Sequence, residues 1–332
     1  MTSLDLSVII PALNEREALP GLLEEIAITC DGLGLDWETI VVDDGSTDGT
    51  LAAIEEMRRE DPRLRAIRLR RNFGKAAALA AGFERAAGAV IVTIDGDGQD
   101  DPADIPSLLA ELEAGADLVS GWKRNREDPW SRRAASRVFN GVTARLTGVS
   151  MHDMNCGFKA YRRDCALSLE VYGELHRYLP VMAAQQGWRV TEVPVNHRAR
   201  QHGRSRYGLE RYLRGALDLL TVVFIGRYQH RPLHLFGGIG FIFTAVGALI
   251  AIYLTILKID GQSIGQRPLL FLAVLLIVVG VQLLTFGLLA QMVVLARRDR
   301  LDTAGGMEGQ IERLVGFEAD LAGSAVSPAA RQ

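Results

Sequence analysis

The sequence is poor in cysteine, with three cysteines in 332 residues. Cys30, Cys156 and Cys165 are too few and too far apart for a disulfide framework or a thiolate zinc site. Proline is scarce as well, at 11 residues, and 48% of the chain is hydrophobic, which excludes collagen-like and disordered proteins. We therefore expect a folded protein whose main domain lies in a reducing compartment.

An excess of charge of either sign is also lacking. The formal net charge of −3 excludes a globally basic protein that binds nucleic acid. Neither a G-x-G-x-x-G after the first predicted strand nor a G-x-x-x-x-G-K-[ST] is found, so dinucleotide and P-loop sites are disfavoured. Residues 1–7 contain no basic n-region and no apolar run, and we expect no signal peptide.

Two long stretches near the end of the chain contain no charge at all. Residues 235–257 form a stretch of 23 residues and residues 268–296 one of 29. At about 1.5 Å per helical residue, both exceed the roughly 30 Å hydrocarbon core of a bilayer. Buried core helices are the alternative, but such helices normally carry a polar stripe, which these stretches lack. With a connecting loop at 258–267, they predict a transmembrane helical hairpin within residues 232–300.

Basic residues flank this hairpin and indicate its orientation. Eight arginines lie within residues 197–231 and three more follow the second stretch, whereas the short loop holds two basic residues. By the positive-inside rule we expect a multi-pass protein of the plasma (inner) membrane, with its main domain and C-terminus in the cytoplasm. Residues 208–231 predict an amphipathic juxtamembrane helix, and a solvated basic face on a packed helix is the alternative.

The segments before and after the membrane region differ in character. Residues 301–332 are expected to form a mobile cytoplasmic tail, with one short helix at most in the apolar stretch 311–317.

The first 207 residues alternate between strand and helix patterns. Apolar, β-branched runs predict strands at 7–11, 39–42, 66–69, 89–94, 117–120 and 188–196. Helical periodicity predicts helices at 15–29, 48–59, 75–87, 105–114 and 131–146, with Asp48 and Asp104 as N-caps. This alternation indicates an α/β domain with a mostly parallel, Rossmann-like sheet.

Three polar clusters follow predicted strands, at the edge where open α/β sheets bind ligands. They are residues 11–15, 43–50 and 95–102. The third contains three carboxylates and a glutamine within six residues, directly after an apolar strand. Such oxygen ligands suit Mg²⁺ or Mn²⁺, which are commonly held by one or two carboxylates plus substrate phosphates. An acidic turn that caps the next helix is the alternative, but the two companion clusters favour a metal site.

Together with Arg71-Asn72-Phe73-Gly74-Lys75, these clusters resemble the family-2 inverting glycosyltransferases of the GT-A fold. Within that family the sequence is most similar to polyprenyl-phosphate hexosyltransferases, the dolichol-phosphate-mannose-synthase-like group. The resemblance covers about residues 5–230, implies a GT-A domain at 1–207, and fits membrane-anchored bacterial members. The Q-x-x-R-W motif of processive polysaccharide synthases is absent.

The resemblance implies a role for each matching position. The nucleoside base and ribose are implied to contact Pro11, Leu13, Glu15, Val42 and Asp44. Asp95 and Asp97 match the D-x-D pair, with Lys75 and Gly96 beside the donor and Gln99 sharing the metal with Asp97. Arg200 and Arg206 belong to a loop that matches R-x-x-G-x-S-K and closes over the donor diphosphate. Arg206 replaces the usual lysine, so a planar guanidinium group takes the place of a compact ammonium group.

The acceptor phosphate is implied to contact Lys123 and Arg137. We expect the neighbouring arginines to face solvent or lipid headgroups, namely Arg124, Arg126, Arg132 and Arg133. The turn at 152–159 matches the region that contacts the donor sugar, where Asp153 and Asn155 would bind hydroxyls. A turn whose side chains satisfy its own backbone is the alternative.

These features predict a membrane-anchored enzyme of cell-envelope glycan synthesis. It would transfer a hexose from a nucleotide sugar to a polyprenyl phosphate, with inversion and with Mg²⁺ or Mn²⁺. A lipid phosphate, with a second pKa of about 6, is largely ionised at pH 7 and needs no general base. Two alternatives stay open: glycosylation of a lipid hydroxyl (diacylglycerol or ceramide) with Asp153 as base, and a non-catalytic membrane scaffold. A homo-oligomer is compatible with either enzyme.

Overall fold

A computed structural model describes residues 4–123, 141, 143–145, 147–173, 175–198, 232–261, 263–264, 268–301 and 311–315. Arg137, Arg200, Arg206 and the predicted juxtamembrane helix lie outside these residues, as do the four arginines expected to face solvent or lipid. The chain divides into two compact units, Met1–Val222 with Gly306–Gln332, and Val223–Gly305. Each is described by itself.

The first unit is an α/β domain. Its strands are β1 (Leu6–Ala12), β2 (Trp37–Asp43), β3 (Leu64–Leu69), β4 (Val90–Thr93), β5 (Leu118–Lys123), β6 (Lys159–Arg162), β7 (Val190–Val195) and β8 (Ile311–Val315). Its helices are α1 (Leu19–Leu33), α2 (Thr50–Glu60), α3 (Lys75–Arg85), α4 (Ile105–Glu113), α5 (Arg163–Ser168) and α6 (Leu179–Gln185). Short 3₁₀ turns lie at Pro102–Asp104 and Leu175–Arg177.

The described strands form one sheet in the order β7-β5-β6-β4-β1-β2-β3-β8. Strands β3, β2, β1 and β4 run parallel, and β5 is parallel to β7. Strand β6 lies antiparallel between β4 and β5. The prediction of a mostly parallel sheet is confirmed. The carboxyl ends of β1, β2 and β4 meet at one edge, which is where the three polar clusters lie.

The central strands are apolar on both faces because helices cover both sides of the sheet. The side chains of Ile9, Val41 and Val92 are fully buried, and so is Ile26 of the covering helix α1. This core fixes where each strand ends. The polar residues that follow the strands are therefore held at defined positions along one edge.

Three local predictions differ from the structure: one short helix and two helix N-caps. The stretch expected to form a short helix contains strand β8, which pairs antiparallel with β3 at the edge of the sheet, so this part of the tail is not mobile coil. Its backbone pairs with the free edge of β3, a contact that local periodicity does not signal. Asp104 occupies the N-cap position of α4, but its carboxylate accepts hydrogen bonds from Asn196 instead of the helix. Asp48 bonds to Thr50 at the start of α2, whose N-cap residue is Gly49.

The second unit is a pair of apolar helices, α7 (Pro232–Ile259) and α8 (Pro268–Leu301). Both are long and apolar enough to cross a membrane, with mean hydropathies of 2.3 and 2.8. They pack closely at glycines: a Cβ on Gly240 would lie 2.6 Å from the Gly280 carbonyl oxygen, and one on Gly247 2.9 Å from that of Ala273. Small residues at helix contacts are typical of membrane hairpins. Only 17% of the most apolar part of α7 and 11% of that of α8 are buried, whereas a core helix of a soluble protein is mostly buried.

Candidate active site

The loops after β1 and β2 are joined by hydrogen bonds around Asn14. Its backbone N–H donates to Ser46 Oγ at 2.9 Å, and its Oδ1 accepts from the Thr47 backbone N–H at 2.9 Å. Asn14 has a φ of 58°, a left-handed conformation that is uncommon outside glycine and that these bonds stabilise. The first two polar clusters therefore form one continuous surface.

The residues predicted to hold the nucleoside differ in exposure. Pro11, Leu13 and Glu15 are partly exposed on this surface. Val42 pairs with Pro11 in the sheet, and its side chain is fully buried. A direct contact of the Val42 side chain with a base would therefore require the local packing to open, whereas the other three are accessible as they stand.

Asp44 joins the second cluster to the segment before α3. Its Oδ1 accepts from the Phe73 backbone N–H at 2.7 Å, and its Oδ2 accepts from that of Gly74 at 2.9 Å. Burial raises the pKa of this carboxyl group, and the two N–H donors oppose that rise. Both oxygens of Asp44 thus fix the start of α3, whose first residue is Lys75.

Lys75 forms an ion pair with Asp95, the first carboxylate of the D-x-D pair. Burial by itself would raise the pKa of Asp95, but the ammonium groups of Lys75, Lys123 and Lys159 outweigh it and lower the pKa to about 2. Gly157 closes the other side of this carboxylate: a Cβ there would lie 2.6 Å from each of its oxygens. Asp95 is therefore ionised and confined between a cation and a glycine.

Asp97 and Gln99 carry the candidate metal ligands. The backbone N–H of Gln99 donates to Asp97 Oδ1 at 3.2 Å, so the two residues share one turn. The Gln99 side chain donates through Nε2 to the Arg198 carbonyl oxygen at 3.3 Å, which turns its amide oxygen away from that contact. Among the described residues no group of three His, Cys, Asp or Glu side chains could hold a metal. The oxygen set fits Mg²⁺ or Mn²⁺ only if a ligand supplies further oxygens.

Lys123, predicted to contact an acceptor phosphate, is almost completely buried. Its Nζ lies 2.7 Å from Oδ1 of Asp100, whose side chain is 0% exposed, and His197 Nδ1 lies 3.3 Å from the same oxygen. Burial would lower the pKa of Lys123, but the Asp100 carboxylate raises it. The sequence analysis assigned no role to Asp100, because its pairing with Lys123 crosses from the loop after β4 to the end of β5.

The segment after β7 is anchored to the same loop. Arg198 donates its backbone N–H to the Gln99 carbonyl oxygen at 2.7 Å and pairs with Glu25 and Asp101 through its guanidinium group. Asn196 hydrogen-bonds Asp104 through its backbone and its side chain. Arg198, two residues before Arg200 in the sequence, therefore lies beside the loop that carries Asp97 and Gln99.

The turn before β6 contains a buried lysine that the sequence analysis left without a role. Lys159 is 2% exposed, and its Nζ donates to the Cys156 carbonyl oxygen. Burial lowers its pKa. Asp153 is also buried, and its Oδ1 accepts from the Asn155 backbone N–H at 3.2 Å, so part of its bonding satisfies the turn itself. Thr93 Oγ1 donates to the Gly157 carbonyl oxygen at 2.8 Å and ties the turn to β4.

The structure thus brings most of the predicted residues to one edge of the sheet. Lys75 pairs directly with Asp95, and Asp44 bonds the backbone of Phe73 and Gly74 just before Lys75. The turn with Asp153 and Asn155 packs on Asp95 through Gly157. The residues missed by sequence reasoning are Asn14, Asp100, Gly157 and Lys159. A glycine or lysine in a turn gives no signal of the distant carboxylate that it will meet.

Comparison with known proteins identifies the family of this chain. Residues 7–167 match the family described as Glycosyl transferase family 2. A dodecaprenyl-phosphate galacturonate synthase of Rhizobium johnstonii is 43% identical over 88% of this chain and 88% of its own length. The chain belongs to glycosyl transferase family 2. An undecaprenyl-phosphate 4-deoxy-4-formamido-L-arabinose transferase of Proteus mirabilis is 36% identical over 86% of this chain and 87% of its own.

The fold of this chain is similar to that of a glycosyltransferase of known structure. Glucosyl-3-phosphoglycerate synthase of Mycobacterium tuberculosis, in complex with Mn²⁺, UDP-glucose and phosphoglyceric acid, has a TM-score of 0.52. The alignment has 21% identity and covers 67% of this chain and 79% of that one. The prediction of a GT-A-type α/β domain in a sugar transferase is confirmed.

Gly157→Ala tests the confinement of Asp95. The added Cβ would meet both carboxylate oxygens at 2.6 Å, so Asp95 must shift and weaken its ion pair with Lys75. Because a misplacement of about 1 Å can reduce the rate by about 10²-fold, we expect a loss of that order in glycosyl transfer without unfolding. The measurement is steady-state transfer together with the melting temperature. Gly32→Ala, which meets nothing within 4 Å on α1, is the control, and equal rates for both variants would contradict the assignment.

Proposed function

We propose that this enzyme transfers a sugar from a nucleoside-diphosphate donor to a polyprenyl phosphate at the cytoplasmic face of the inner membrane. The observation that carries the proposal is the linked edge of Asp44, Lys75, Asp95 and the Asp97–Gln99 turn, in a chain with two long apolar helices. Support for the acceptor comes from relatives at 43% and 36% identity whose names specify polyprenyl-phosphate products.

The donor site follows from the charges at this edge. Asp95, ionised at physiological pH and held by Lys75, is positioned to accept hydrogen bonds from the ribose or the sugar of the donor. The partly exposed Pro11, Leu13 and Glu15 line the adjoining surface, where the nucleoside would lie. Asp153 and Asn155 would contact the transferred sugar from the turn that packs against Asp95.

A divalent cation completes the donor site in this proposal. Asp97 and the Gln99 amide oxygen would hold it, and the donor diphosphate would supply the remaining oxygens. When bound, Mg²⁺ or Mn²⁺ neutralises the negative charge that develops on the departing nucleoside diphosphate. Arg200 and Arg206 are proposed to add positive charge on the same diphosphate. The Arg198 contacts with Gln99 and Asp101 anchor the chain two residues ahead of Arg200.

The acceptor side needs no general base if the nucleophile is a phosphate oxygen. A phosphate monoester with a second pKa of about 6 is mostly dianionic at pH 7 and attacks the anomeric carbon without losing a proton. What it needs is positive charge. We propose Lys123 and Arg137 for that role, with Lys123 reaching the acceptor only if it exchanges part of its pairing with Asp100.

The second candidate function is glycosylation of a lipid hydroxyl, which would require a general base. Asp153 is the carboxylate in the sugar-contacting turn. It is only 4% exposed, so a role as base requires the turn to open, as does its proposed contact with the donor sugar. The two functions make opposite predictions for its substitution.

Substitution of Asp97, the proposed metal ligand, tests whether transfer depends on a divalent cation. Asp97→Ala should reduce transfer by at least ~10²-fold, the scale of losing one preorganised charge-stabilising group, and should leave the melting temperature unchanged. Wild-type turnover should stop in excess chelator and return with Mg²⁺ or Mn²⁺. Asp36→Ala, an exposed carboxylate away from the edge, should behave as wild type. Full turnover in chelator would contradict the metal site.

Asp153→Asn distinguishes the two acceptors. With a phosphate acceptor we expect altered donor KM and a kcat within about tenfold of wild type, because no proton has to be removed. With a hydroxyl acceptor kcat should fall by about 10²–10⁴-fold, the usual contribution of a general base. The measurement is kcat and KM for both substrates in lipid vesicles.

The same assay tests Lys123, for which a simple truncation would leave Asp100 buried and unpaired. Lys123→Met combined with Asp100→Asn removes the pair without leaving a buried charge. If Lys123 contacts the acceptor, the double variant should raise the acceptor KM while donor hydrolysis by water stays unchanged. Wild-type acceptor kinetics would assign Lys123 the purely structural role of neutralising Asp100.

A further inference from the structure

Helix α8 carries a seven-residue repeat of exposed side chains. We call this set the α8 seam; it consists of Phe271, Leu275, Val278, Gln282, Thr285, Leu289 and Met292. The spacing alternates between four and three residues, which keeps the set on one side of a helix. The opposite side packs on α7, where Gly240 meets Gly280 and Leu284. Because Gln282 is two residues from each of these, it lies about 160° around the helix from both.

Gln282 is a polar side chain in an unfavourable place. It lies near the middle of the span Pro268–Val293 and is exposed on the side away from α7. Thr285, one turn along the seam, donates its hydroxyl to the Val281 carbonyl oxygen of its own helix at 2.9 Å. Gln282 has no hydrogen-bond partner among the residues that the structure describes. Lipid chains cannot supply one, and an unsatisfied polar group in hydrocarbon costs several kcal/mol.

We propose that the α8 seam is the contact between two copies of this chain, with Gln282 of each copy hydrogen-bonded to Gln282 of the other. Two copies inserted in the same orientation have parallel α8 helices, and a two-fold axis along the membrane normal places each residue opposite itself at equal depth. Two glutamine side chains can hydrogen-bond to each other, because each amide has an NH₂ group that donates and a carbonyl oxygen that accepts. Because the Thr285 hydroxyl bonds its own helix, Gln282 is the seam residue that can pair across the contact, and a single such polar residue in a heptad seam also sets the register and the number of helices.

A second copy fits better than the other possible occupants. Acyl and prenyl chains can pack on the apolar seam residues but have no group that hydrogen-bonds to the Gln282 amide. A different membrane protein would need a polar group at the same depth, which a second copy has by symmetry. The proposal rests on one part of the proposed function only, the insertion of both helices in the membrane.

Cysteine cross-linking of the full chain in vesicles tests the seam. Single variants Leu275→Cys, Val278→Cys and Leu289→Cys should form a disulfide-linked dimer on mild oxidation. Leu249→Cys on α7, whose native side chain is 66% exposed and therefore more exposed than any of these three, should not. The native cysteines are buried in the other unit and stay in place. Cross-linking at Leu249→Cys with none on the seam, or no cross-linking anywhere, would overturn the proposal.

The role of the amide is tested by the affinity of the dimer, measured by energy transfer between labelled chains at varied protein-to-lipid ratio. Gln282→Leu should weaken association by about 3- to 20-fold, the range for one hydrogen bond between membrane helices. Gln282→Asn should stay within about threefold of wild type. Thr285→Val, whose hydroxyl bonds its own helix, is the matched control and should associate as wild type. Unchanged association of Gln282→Leu would overturn the role of the amide.

The outcomes separate this proposal from the proposed function. Carbonate extraction and sugar transfer are measured on the same preparations. An integral, active enzyme that does not cross-link at the seam overturns only the dimer. A dimer that cross-links at the seam but transfers no sugar supports the dimer and overturns only the proposed function. A chain released by carbonate overturns both the membrane location and the dimer.

Discussion

The ion pair between Lys75 and Asp95 is the contact on which the organisation of the candidate active site depends. Asp95 follows β4, Lys75 begins α3, and Gly157 of the turn before β6 packs against the same carboxylate. Asp44 in turn fixes the start of α3 by accepting from two backbone N–H groups. Four segments that are far apart in sequence are thereby placed around one charged group. Because the pKa of Asp95 is about 2, its carboxylate stays ionised at any physiological pH.

Positive charge at this edge is divided between exposed and buried lysines. Lys75 is partly exposed beside Asp95. Lys123 is buried against Asp100, and Lys159 is buried against a carbonyl oxygen of its own turn. A buried lysine must be compensated locally, because burial disfavours the charged form. The two buried lysines therefore act first on the positions of the neighbouring loops, which explains why a structural role for Lys123 competes with the predicted contact to an acceptor.

The sequence was sufficient to predict the parallel sheet and the edge that carries the site, since apolar β-branched runs followed by polar clusters are local signals. It also predicted both apolar helices, because a charge-free stretch of that length is typical of a helix that spans a bilayer. The contacts around Asp95 could not be predicted, because Gly157 and Lys75 reach it from 62 and 20 residues away in the chain. Strand β8 was missed because five residues of mixed character fit a helix or an edge strand equally well, and only the free edge of β3 decides between them.

Mass spectrometry of the lipid fraction identifies the product of the proposed reaction. The full-length enzyme in vesicles with undecaprenyl phosphate would be offered a panel of nucleotide sugars, including UDP-glucose and UDP-galacturonate, in the presence of Mg²⁺ or Mn²⁺. We expect one donor to give a lipid whose mass equals undecaprenyl phosphate plus a single sugar residue, with the nucleoside diphosphate released into solution. A product on diacylglycerol or another lipid alcohol, with undecaprenyl phosphate unchanged, would contradict the proposed function.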